Sequence, residues 1–197
     1  KADFAMVFIK SPVSNGYSKA DREAGGNGYM PISLQLKDYT AVAARAQSIA
    51  AGDPVVDPTI TNRSYLNKTS KSNSYPDLNT ILDTKKAMNG KPVLVAVSVS
   101  NPMVFGEFEK DVDAIVGEFG VQTEALLDIV SGKVEPSGLL PLQMPIDMTT
   151  VEKQFEDVPH DMIPYRDSNG NVYDFSFGLN WKGIIKDVRT EKYSVKK

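Results

Sequence analysis

The run Val93–Val99 constrains the fold more than any other part of this chain, because it reads Val-Leu-Val-Ala-Val-Ser-Val. It is nearly continuously apolar and rich in β-branched residues, without the alternation of a half-exposed strand. The run Phe4–Ile9 is continuous in the same way. Strands that are covered on both faces have this pattern, and they occur in parallel sheets with helices on each side. The sequence therefore predicts two strands of a buried parallel sheet.

Two further runs are weaker strand candidates. Asp113–Val116 has the same apolar character, and Leu139–Met144 has it too, although Pro141 weakens that strand or places it at a sheet edge. Helical segments are predicted between the strands, at Tyr39–Ala51, Pro76–Met88 and Gln122–Ser131, with a short turn at Phe105–Lys110. This alternation favours an α/β fold, a three-layer α/β/α sandwich with a mostly parallel sheet of about five or six strands.

Two segments are predicted to lie outside the regular layers. Residues 52–75 are rich in Pro, Asn, Ser, Thr and Lys, and they are too long for an ordinary connection, so they are interpreted as an insertion loop. Asn169-Gly170 lies between Tyr165 and Val172-Tyr173, which favours a hairpin turn over a calcium loop. Residues 1–197 are treated as one domain.

Composition excludes several classes of function. The net charge of −3 argues against a protein that binds nucleic acid or an anionic membrane, and no apolar run is long enough to span a bilayer. The chain has no cysteine, which excludes disulfides, thiol catalysis and zinc–thiolate sites, and no cofactor is expected. Because the chain opens at Lys1 and enters a predicted strand almost at once, we expect it to be a piece of a longer protein.

Several segments, taken in order, resemble a known family. They are Ala2–Ile9, Lys91–Val97 with Asn101-Pro102-Met103, Val112–Ile115, Ala125–Gly132, Glu135-Pro136-Ser137-Gly138-Leu139-Leu140-Pro141 and Phe175-Ser176-Phe177-Gly178-Leu179-Asn180-Trp181. Their order and spacing resemble the second domain, an α/β sandwich, of glycoside hydrolase family 3, whose members include β-glucosidases. Phe119–Glu124 replaces a longer family motif, and residues 52–75 have no counterpart in the commoner members, so a divergent subgroup is expected.

The resemblance implies a division of the active site between two domains. A retaining glycosidase needs two carboxyl groups about 5 Å apart. In this family the nucleophile lies on an N-terminal (β/α)8 barrel, which nothing in this chain resembles. The expected role of this domain is to supply the acid/base and one wall of the sugar pocket, with the barrel as its partner. The expected location, beyond the carboxyl ends of the strands, is where open α/β sheets bind ligands.

The loop Ser11–Pro31 follows the first strand, and its only carboxyl groups belong to Asp21 and Glu23. Many family members carry the acid/base Glu before a Gly-Tyr pair, but here that position holds Asn15, which cannot donate a catalytic proton. Plant-type members carry it three residues before a Gly, which matches Glu23. Glu23 is therefore preferred, Asp21 is the second candidate, and the plain alternative is that both are surface charges.

Four residues are candidates for contacting the substrate. They are Asn15, Tyr17 and Tyr29 in the loop, and His160, the only histidine. The alternatives are that the tyrosines pack against the base of the loop and that His160 is structural or exposed. Trp181 and Phe177 are expected to close the core, and Glu107, Glu109 and Glu124 are expected to be solvated.

The main hypothesis is a β-glucosidase domain that acts on terminal β-linked glucose of oligosaccharides and works only beside a barrel. The alternative from another class is a catalytically silent scaffold or sugar-binding module. A flavodoxin-like nucleotide binder is a third, weaker interpretation, because no phosphate-binding turn follows the first strand. The resemblance implies a secreted or periplasmic location, and a homodimer is one oligomeric state that stays open.

Overall fold

The structure is a computed structural model that describes residues 2–43, 64–155, 158 and 160–193. In chain order its helices and strands are β1 (Ala5–Lys10), α1 (Lys19–Glu23), β2 (Tyr39–Thr40), β3 (Thr69–Ser70), α2 (Tyr75–Met88), β4 (Val93–Ser98), β5 (Ala114–Glu118), α3 (Thr123–Val130), α4 (Met148–Lys153), β6 (Leu179–Asn180), β7 (Gly183–Ile184) and α5 (Val188–Tyr193). Two short 3₁₀ turns, Phe105–Glu107 and Glu109–Asp111, lie between β4 and β5.

The central sheet is parallel, with the strand order β1-β4-β5. Val7 pairs with Val95, and Val95 pairs with Ile115 on the other side. Val93, Val95 and Val97 are completely buried, and Ala96 on the opposite face of β4 is 2% exposed. The continuous apolar run thus forms a central strand that is covered on both faces, which confirms the predicted α/β fold. Within the described residues the parallel sheet has three strands.

Helix α2 agrees closely with its sequence pattern. Leu78 and Ile81 are buried in the same core cluster as the β4 valines. The helix ends where Asn89 adopts a left-handed conformation, with φ 47°, and Gly90 continues at φ 86°. Left-handed residues of this kind terminate helices because they break the repeating backbone geometry. The predicted helix α3 and the predicted turn at Phe105–Lys110 are also confirmed.

The predicted strand at Leu139–Met144 is wrong. This segment is irregular, and its backbone bonds instead to the C-terminal part of the chain, with Leu140 N donating to Phe177 O at 2.7 Å and Met144 N to Tyr173 O at 2.9 Å. Pro141 has no N–H to donate to a ladder, which is why a regular strand does not form. The apolar residues still serve the core, since Met144 is 1% exposed.

The predicted helix at Tyr39–Ala51 is wrong where the structure describes it. Tyr39 and Thr40 form β2, which pairs antiparallel with β3, and Ala41 N continues the pairing by donating to Lys68 O at 3.0 Å. Buried Tyr39 packs in a small cluster with Val104 and Met148, so tertiary packing and the strand preference of Tyr and Thr outweigh the alanines that follow. Residues 44–51 of this prediction, and residues 52–63 of the predicted insertion, lie outside the described residues.

The predicted hairpin at Asn169-Gly170 is confirmed. Arg166 and Val172 form an antiparallel bridge, and Gly170 N donates to Asp167 O at 3.0 Å. Trp181 differs from its prediction: it is 60% exposed at the tip of the turn between β6 and β7, while Phe177 is half-buried and stacks on Tyr173.

Two glutamates that were expected to be solvated are not. Glu109 is 8% exposed and accepts hydrogen bonds from Tyr165 Oη at 3.0 Å and Ser168 Oγ at 3.1 Å. Glu107 accepts from the backbone amides of Leu36 and Lys37. Both carboxylates therefore join distant segments, and only Glu124 is exposed as predicted.

Candidate functional site

The loop after β1 folds back on itself as an antiparallel turn. Tyr17 and Tyr29 form an isolated β-bridge, and Met30 N donates to Gly16 O at 3.0 Å. The two ends of the loop are joined by a hydrogen bond of 2.7 Å from Ser33 N to Ser14 Oγ. This pairing brings residues 18–28 to the tip of the loop, which follows the carboxyl end of β1.

The tip of the loop carries α1, a helix of five residues. Ser18 begins it, and its hydroxyl oxygen accepts a hydrogen bond of 3.2 Å from Asp21 N, as N-cap serines do. Asp21 and Glu23 are two residues apart, so the helix turns their side chains roughly 200° away from each other. The two candidate carboxyl groups therefore lie in different surroundings.

The carboxylate of Asp21 faces inward across the loop. Its Oδ2 accepts hydrogen bonds from Gly28 N at 2.8 Å and from Lys68 Nζ at 2.6 Å. Lys68 Nζ also donates to Asn27 Oδ1 at 2.6 Å. The Lys68 ammonium first, and then the Gly28 amide, hold the pKa of Asp21 below its ordinary value. A Cβ atom at Gly26 would overlap this carboxylate, so the glycine leaves the room that it needs.

The carboxylate of Glu23 faces outward at the end of α1. Its side chain is 65% exposed, and its ion pair with Lys19, one helical turn earlier, is longer at 3.4 Å. An exposed pair of this kind contributes little to stability and leaves the carboxylate accessible. The two carboxylates therefore differ: that of Asp21 is held by hydrogen bonds from Lys68 and Gly28, and that of Glu23 is accessible.

The other candidates in the loop have mixed surroundings. The ring of Tyr17 covers Gly28, where an added Cβ would lie 2.5 Å from the ring, yet 48% of Tyr17 remains exposed. Tyr29 is half-buried, and its N–H donates to Asn27 Oδ1 at 3.0 Å. Asn15 is exposed and accepts from Tyr17 N at 3.2 Å, which stabilises the entry to the turn.

His160 lies in a different part of the surface, in a cavity of about 380 Å³ that we call the His160 cavity. Its lining also includes Leu34, Pro102, Leu142, Gln143, Val151, Gln154, Met162, Asp174 and Phe175. The backbone of His160 is left-handed, with φ 64°, which is uncommon for a residue other than glycine. No residue of α1 is among those that line the cavity, so His160 is not grouped with the α1 carboxylates.

A second cavity, of about 570 Å³, includes the last residues of all three parallel strands in its lining. Lys10 pairs with Ser98 and Ser98 with Glu118, so the three residues lie side by side. Glu118 accepts from Gly120 N at 2.6 Å and Val121 N at 3.0 Å. The hydrogen bond from Ser98 is the largest of the contacts that lower the pKa of Glu118. This carboxylate closes a turn at the cavity wall.

Sequence reasoning missed Lys68, which donates a hydrogen bond to Asp21, and Asn27, which accepts one from Lys68. Lys68 follows Asp21 by 47 residues and lies in the segment that was interpreted as an insertion, where no spacing rule connects it to the loop. The only available signal was a charge among polar residues, which normally indicates a solvated surface.

The described residues contain neither a membrane-spanning helix nor a cluster of metal ligands. No helix among them combines the length and apolar character that a membrane span requires. Nor do three or more His, Asp or Glu side chains in that part of the chain come together as a metal site.

The sequence matches to curated relatives cover about half of this chain. A probable β-glucosidase C of Aspergillus flavus is 34% identical over 104 residues, which are 50% of this chain and 16% of that protein. The β-glucosidase C of Emericella nidulans is 32% identical over 50% of this chain and 16% of its own length. A periplasmic β-glucosidase/β-xylosidase of Dickeya chrysanthemi is 28% identical over 54% of this chain. The chain spans only 15 to 16% of the length of these relatives.

A family model matches nearly the whole chain. The model of the glycosyl hydrolase family 3 C-terminal domain matches residues 1–181. This range contains the parallel sheet, the loop with α1 and the His160 cavity. The chain therefore belongs to the glycosyl hydrolase family 3 C-terminal domain family.

Proposed function

We propose that this domain supplies Glu23 as the acid/base of a retaining β-glucosidase and forms one wall of its sugar pocket. The nucleophile would come from a barrel domain of the same enzyme. The observation that carries the proposal is the contrast between the two loop carboxylates: Glu23 is accessible, whereas Asp21 is held by Lys68 and Gly28. Family membership and relatives that are named β-glucosidases support the class of reaction.

Asp21 has the wrong protonation state for a general acid. The acid must carry a proton at working pH when the glycosidic bond breaks. The ammonium of Lys68 lies 2.6 Å from Asp21 Oδ2, and it favours the ionised carboxylate. We infer that Asp21 is a positioning residue, which keeps the α1 end of the loop in place.

Glu23 is not held in this way. Its side chain is 65% exposed, so a second domain and a substrate can reach its carboxyl group. The pairing with Lys19 is loose enough, at 3.4 Å, to be exchanged for a contact with the substrate.

The expected substrates are oligosaccharides that end in β-linked glucose, and the expected location is secreted or periplasmic. The relatives in Aspergillus flavus and Emericella nidulans are named β-glucosidases, and the relative in Dickeya chrysanthemi is named a periplasmic enzyme. No role for nucleic acid or a membrane is proposed, and a homodimer remains one arrangement of the whole enzyme.

The test uses the barrel-containing enzyme with Glu23→Gln. Substrates with poor leaving groups, such as cellobiose, should lose about 10²–10⁴-fold in kcat/KM, because they depend on proton donation. Aryl glucosides with very acidic phenols should lose far less, since their leaving groups need no proton. Asp83→Asn, a change of the same kind at an exposed position of α2, serves as the control. Equal and small losses for both substrate classes would overturn the assignment.

The alternative is a catalytically silent domain, and one observation favours it. Asn15 occupies the position where many members of the family carry the acid, and its side chain is used to accept a hydrogen bond from Tyr17 N. In that case Glu23→Gln would leave the turnover of both substrate classes unchanged.

A further inference from the structure

We propose that Asn67 carries an N-linked glycan in the secreted enzyme. This inference rests on the proposed function, because the glycan is added only to proteins that enter a secretory pathway. Asn67, Lys68 and Thr69 form an Asn-x-Thr triplet, and the sequence has one other triplet of the Asn-x-Ser/Thr kind, at Asn62. Such triplets are the acceptors of N-glycosylation, and an acceptor has to lie at the protein surface. The triplet at Asn67 lies wholly within the described residues.

The modification is a group transfer to the side-chain amide of asparagine. Nδ2 of Asn67 forms a bond to C1 of the first sugar, while the bond between C1 and the diphosphate of a lipid-linked oligosaccharide breaks. The lipid diphosphate leaves, and it takes up the proton that the amide loses. The transfer therefore requires an accessible Nδ2 and a hydroxyl group two residues later, which Thr69 supplies. Lys68 is allowed between them, because only proline is excluded from the middle position.

Asn67 lies at a corner of a reverse turn. Lys68 N donates to Tyr65 O at 3.0 Å, which closes the turn, and the backbone of Asn67 is left-handed with φ 63°. Asparagine is one of the few residues that adopt this conformation readily. Asn67 is exposed, and within the described part of the chain its side chain forms no hydrogen bond. Nδ2 is therefore available for the transfer.

The turn is fixed to the β2–β3 pair at the surface of the domain. Asn67 N donates to Ala41 O at 2.9 Å, and Ala41 N donates to Lys68 O at 3.0 Å. Thr69 begins β3, and its hydroxyl group shares an exposed hydrogen bond of 2.8 Å with that of Thr40. Both groups that the triplet needs, the amide of Asn67 and the hydroxyl of Thr69, therefore lie at the surface of the folded domain.

The same turn adjoins one side of α1. Lys68 Nζ donates to Asp21 Oδ2 at 2.6 Å. Ser64 O, just before the turn, accepts from Asn27 Nδ2 at 2.7 Å. The turn thus lies on the side of α1 that Asp21 faces, and Glu23 projects roughly 200° away from Asp21 around the helix. A bulky glycan on this turn keeps the Asp21 side in solvent, so a barrel has to contact the loop from the Glu23 side.

The test is a mass-spectrometric map of the barrel-containing enzyme after secretion from a yeast host. An amidase that releases N-linked glycans converts each carrier asparagine to aspartate, and in H₂¹⁸O the new carboxyl group takes up ¹⁸O. Trypsin then cleaves after Arg63, so that Asn62 and Asn67 fall in different peptides. We expect the ¹⁸O label at position 67. An unlabelled position 67 in the folded, secreted enzyme would overturn the proposal.

Variants of the triplet separate the acceptor function from the fold. Thr69→Ser keeps the hydroxyl group and should keep the glycan, whereas Thr69→Ala should lose it. Asn73→Gln replaces an exposed asparagine that belongs to no triplet, so it should leave the label at position 67 unchanged. A glycan at Asn67 that persists in Thr69→Ala would contradict the assignment.

Trimming the glycan from the folded enzyme tests its placement. The kcat/KM should stay within about two-fold, because the glycan lies on the other side of α1 from Glu23, and a larger loss would contradict that placement. The label is read without turnover, and the yeast host supplies the secretory route. The glycan assignment can therefore fail while the Glu23 assignment stands, and the reverse also holds.

Discussion

Lys68 Nζ lies 2.6 Å from Asp21 Oδ2 and joins the loop after β1 to a segment 47 residues later. The same ammonium bonds Asn27 Oδ1 at 2.6 Å, so one side chain joins the middle of α1 to the segment that follows the helix. Asp21 is held by this contact, whereas the Glu23 side chain is 65% exposed. The surroundings of Asp21 therefore depend on a lysine outside the loop.

The Asp21–Lys68 contact predicts a dependence of stability on pH. The pKa of Asp21 is lowered in the folded state, chiefly by the Lys68 ammonium, so its contribution is fully present above the ordinary aspartate pKa of 3.8. The contribution is lost as the pH falls below that value and passes through the lower folded pKa. Asp21→Asn should therefore lower the melting temperature at pH 7 by more than it does in strong acid.

Thermal unfolding of the parent chain and of Asp21→Asn across this pH range measures the difference. Asp83→Asn, which replaces an exposed carboxylate on α2, should show no such pH-dependent difference. An Asp21→Asn penalty of the same size at all pH values would show that Lys68 does not govern the ionisation of Asp21.

Gly26→Ala should destabilise the loop. The new Cβ would overlap the carboxylate of Asp21, which is held on its other side by Lys68 and cannot move without losing that contact. Asp21 must give up its hydrogen bond to Lys68 or to Gly28 to make room, so the free energy of unfolding in urea should fall. Gly138→Ala is the matched control, because its Cβ would enter open space. Equal stability of the two variants would contradict the close packing at Gly26.

Glu109→Ala should destabilise the hairpin at residues 165–173. The variant removes the part-buried hydrogen bond from Tyr165 Oη, and a hydrogen bond contributes about 0.5–1.5 kcal/mol to stability. The pKa of Tyr165 is raised first by burial and next by Glu109, so the variant should also let this phenol ionise at lower pH.

A pH titration of phenolate absorbance in the folded protein measures that second effect. Glu124→Ala, at an exposed position of α3, should leave both the stability and the tyrosine titration unchanged. An unaltered titration in Glu109→Ala would mean that burial alone sets the pKa of Tyr165.

The strand β4 and the helix α2 could be predicted because residues adjacent in the sequence determine these elements. The β4 valines and the Asn89-Gly90 ending of α2 each determine their structure through neighbouring residues. The secondary-structure predictions that were wrong concern segments whose structure depends on contacts with distant parts of the chain. Tyr39 forms a strand because Thr69–Ser70 lies beside it, and Leu139–Met144 bonds to the C-terminal segment rather than to the sheet.

The family resemblance directed the candidate site to the loop after β1, and that assignment stays a prediction. The chemistry of a general acid restricted the choice to two carboxylates, Asp21 and Glu23, because the loop contains no others. The difference between them is electrostatic and comes from Lys68, which no local pattern connects to α1. Glu109 was misjudged for a similar reason, since its partners Tyr165 and Ser168 follow it by more than fifty residues.

The most direct test of the Glu23 assignment is azide rescue of Glu23→Ala in the barrel-containing enzyme. A retaining enzyme without its acid/base still forms the glycosyl-enzyme intermediate from an activated aryl glucoside, and azide can then attack without base assistance. We predict that azide accelerates turnover of this variant and yields β-glucosyl azide, while Asp21→Ala shows no such product. Failure of azide to change either the rate or the product of Glu23→Ala would contradict the assignment of Glu23 as the acid/base.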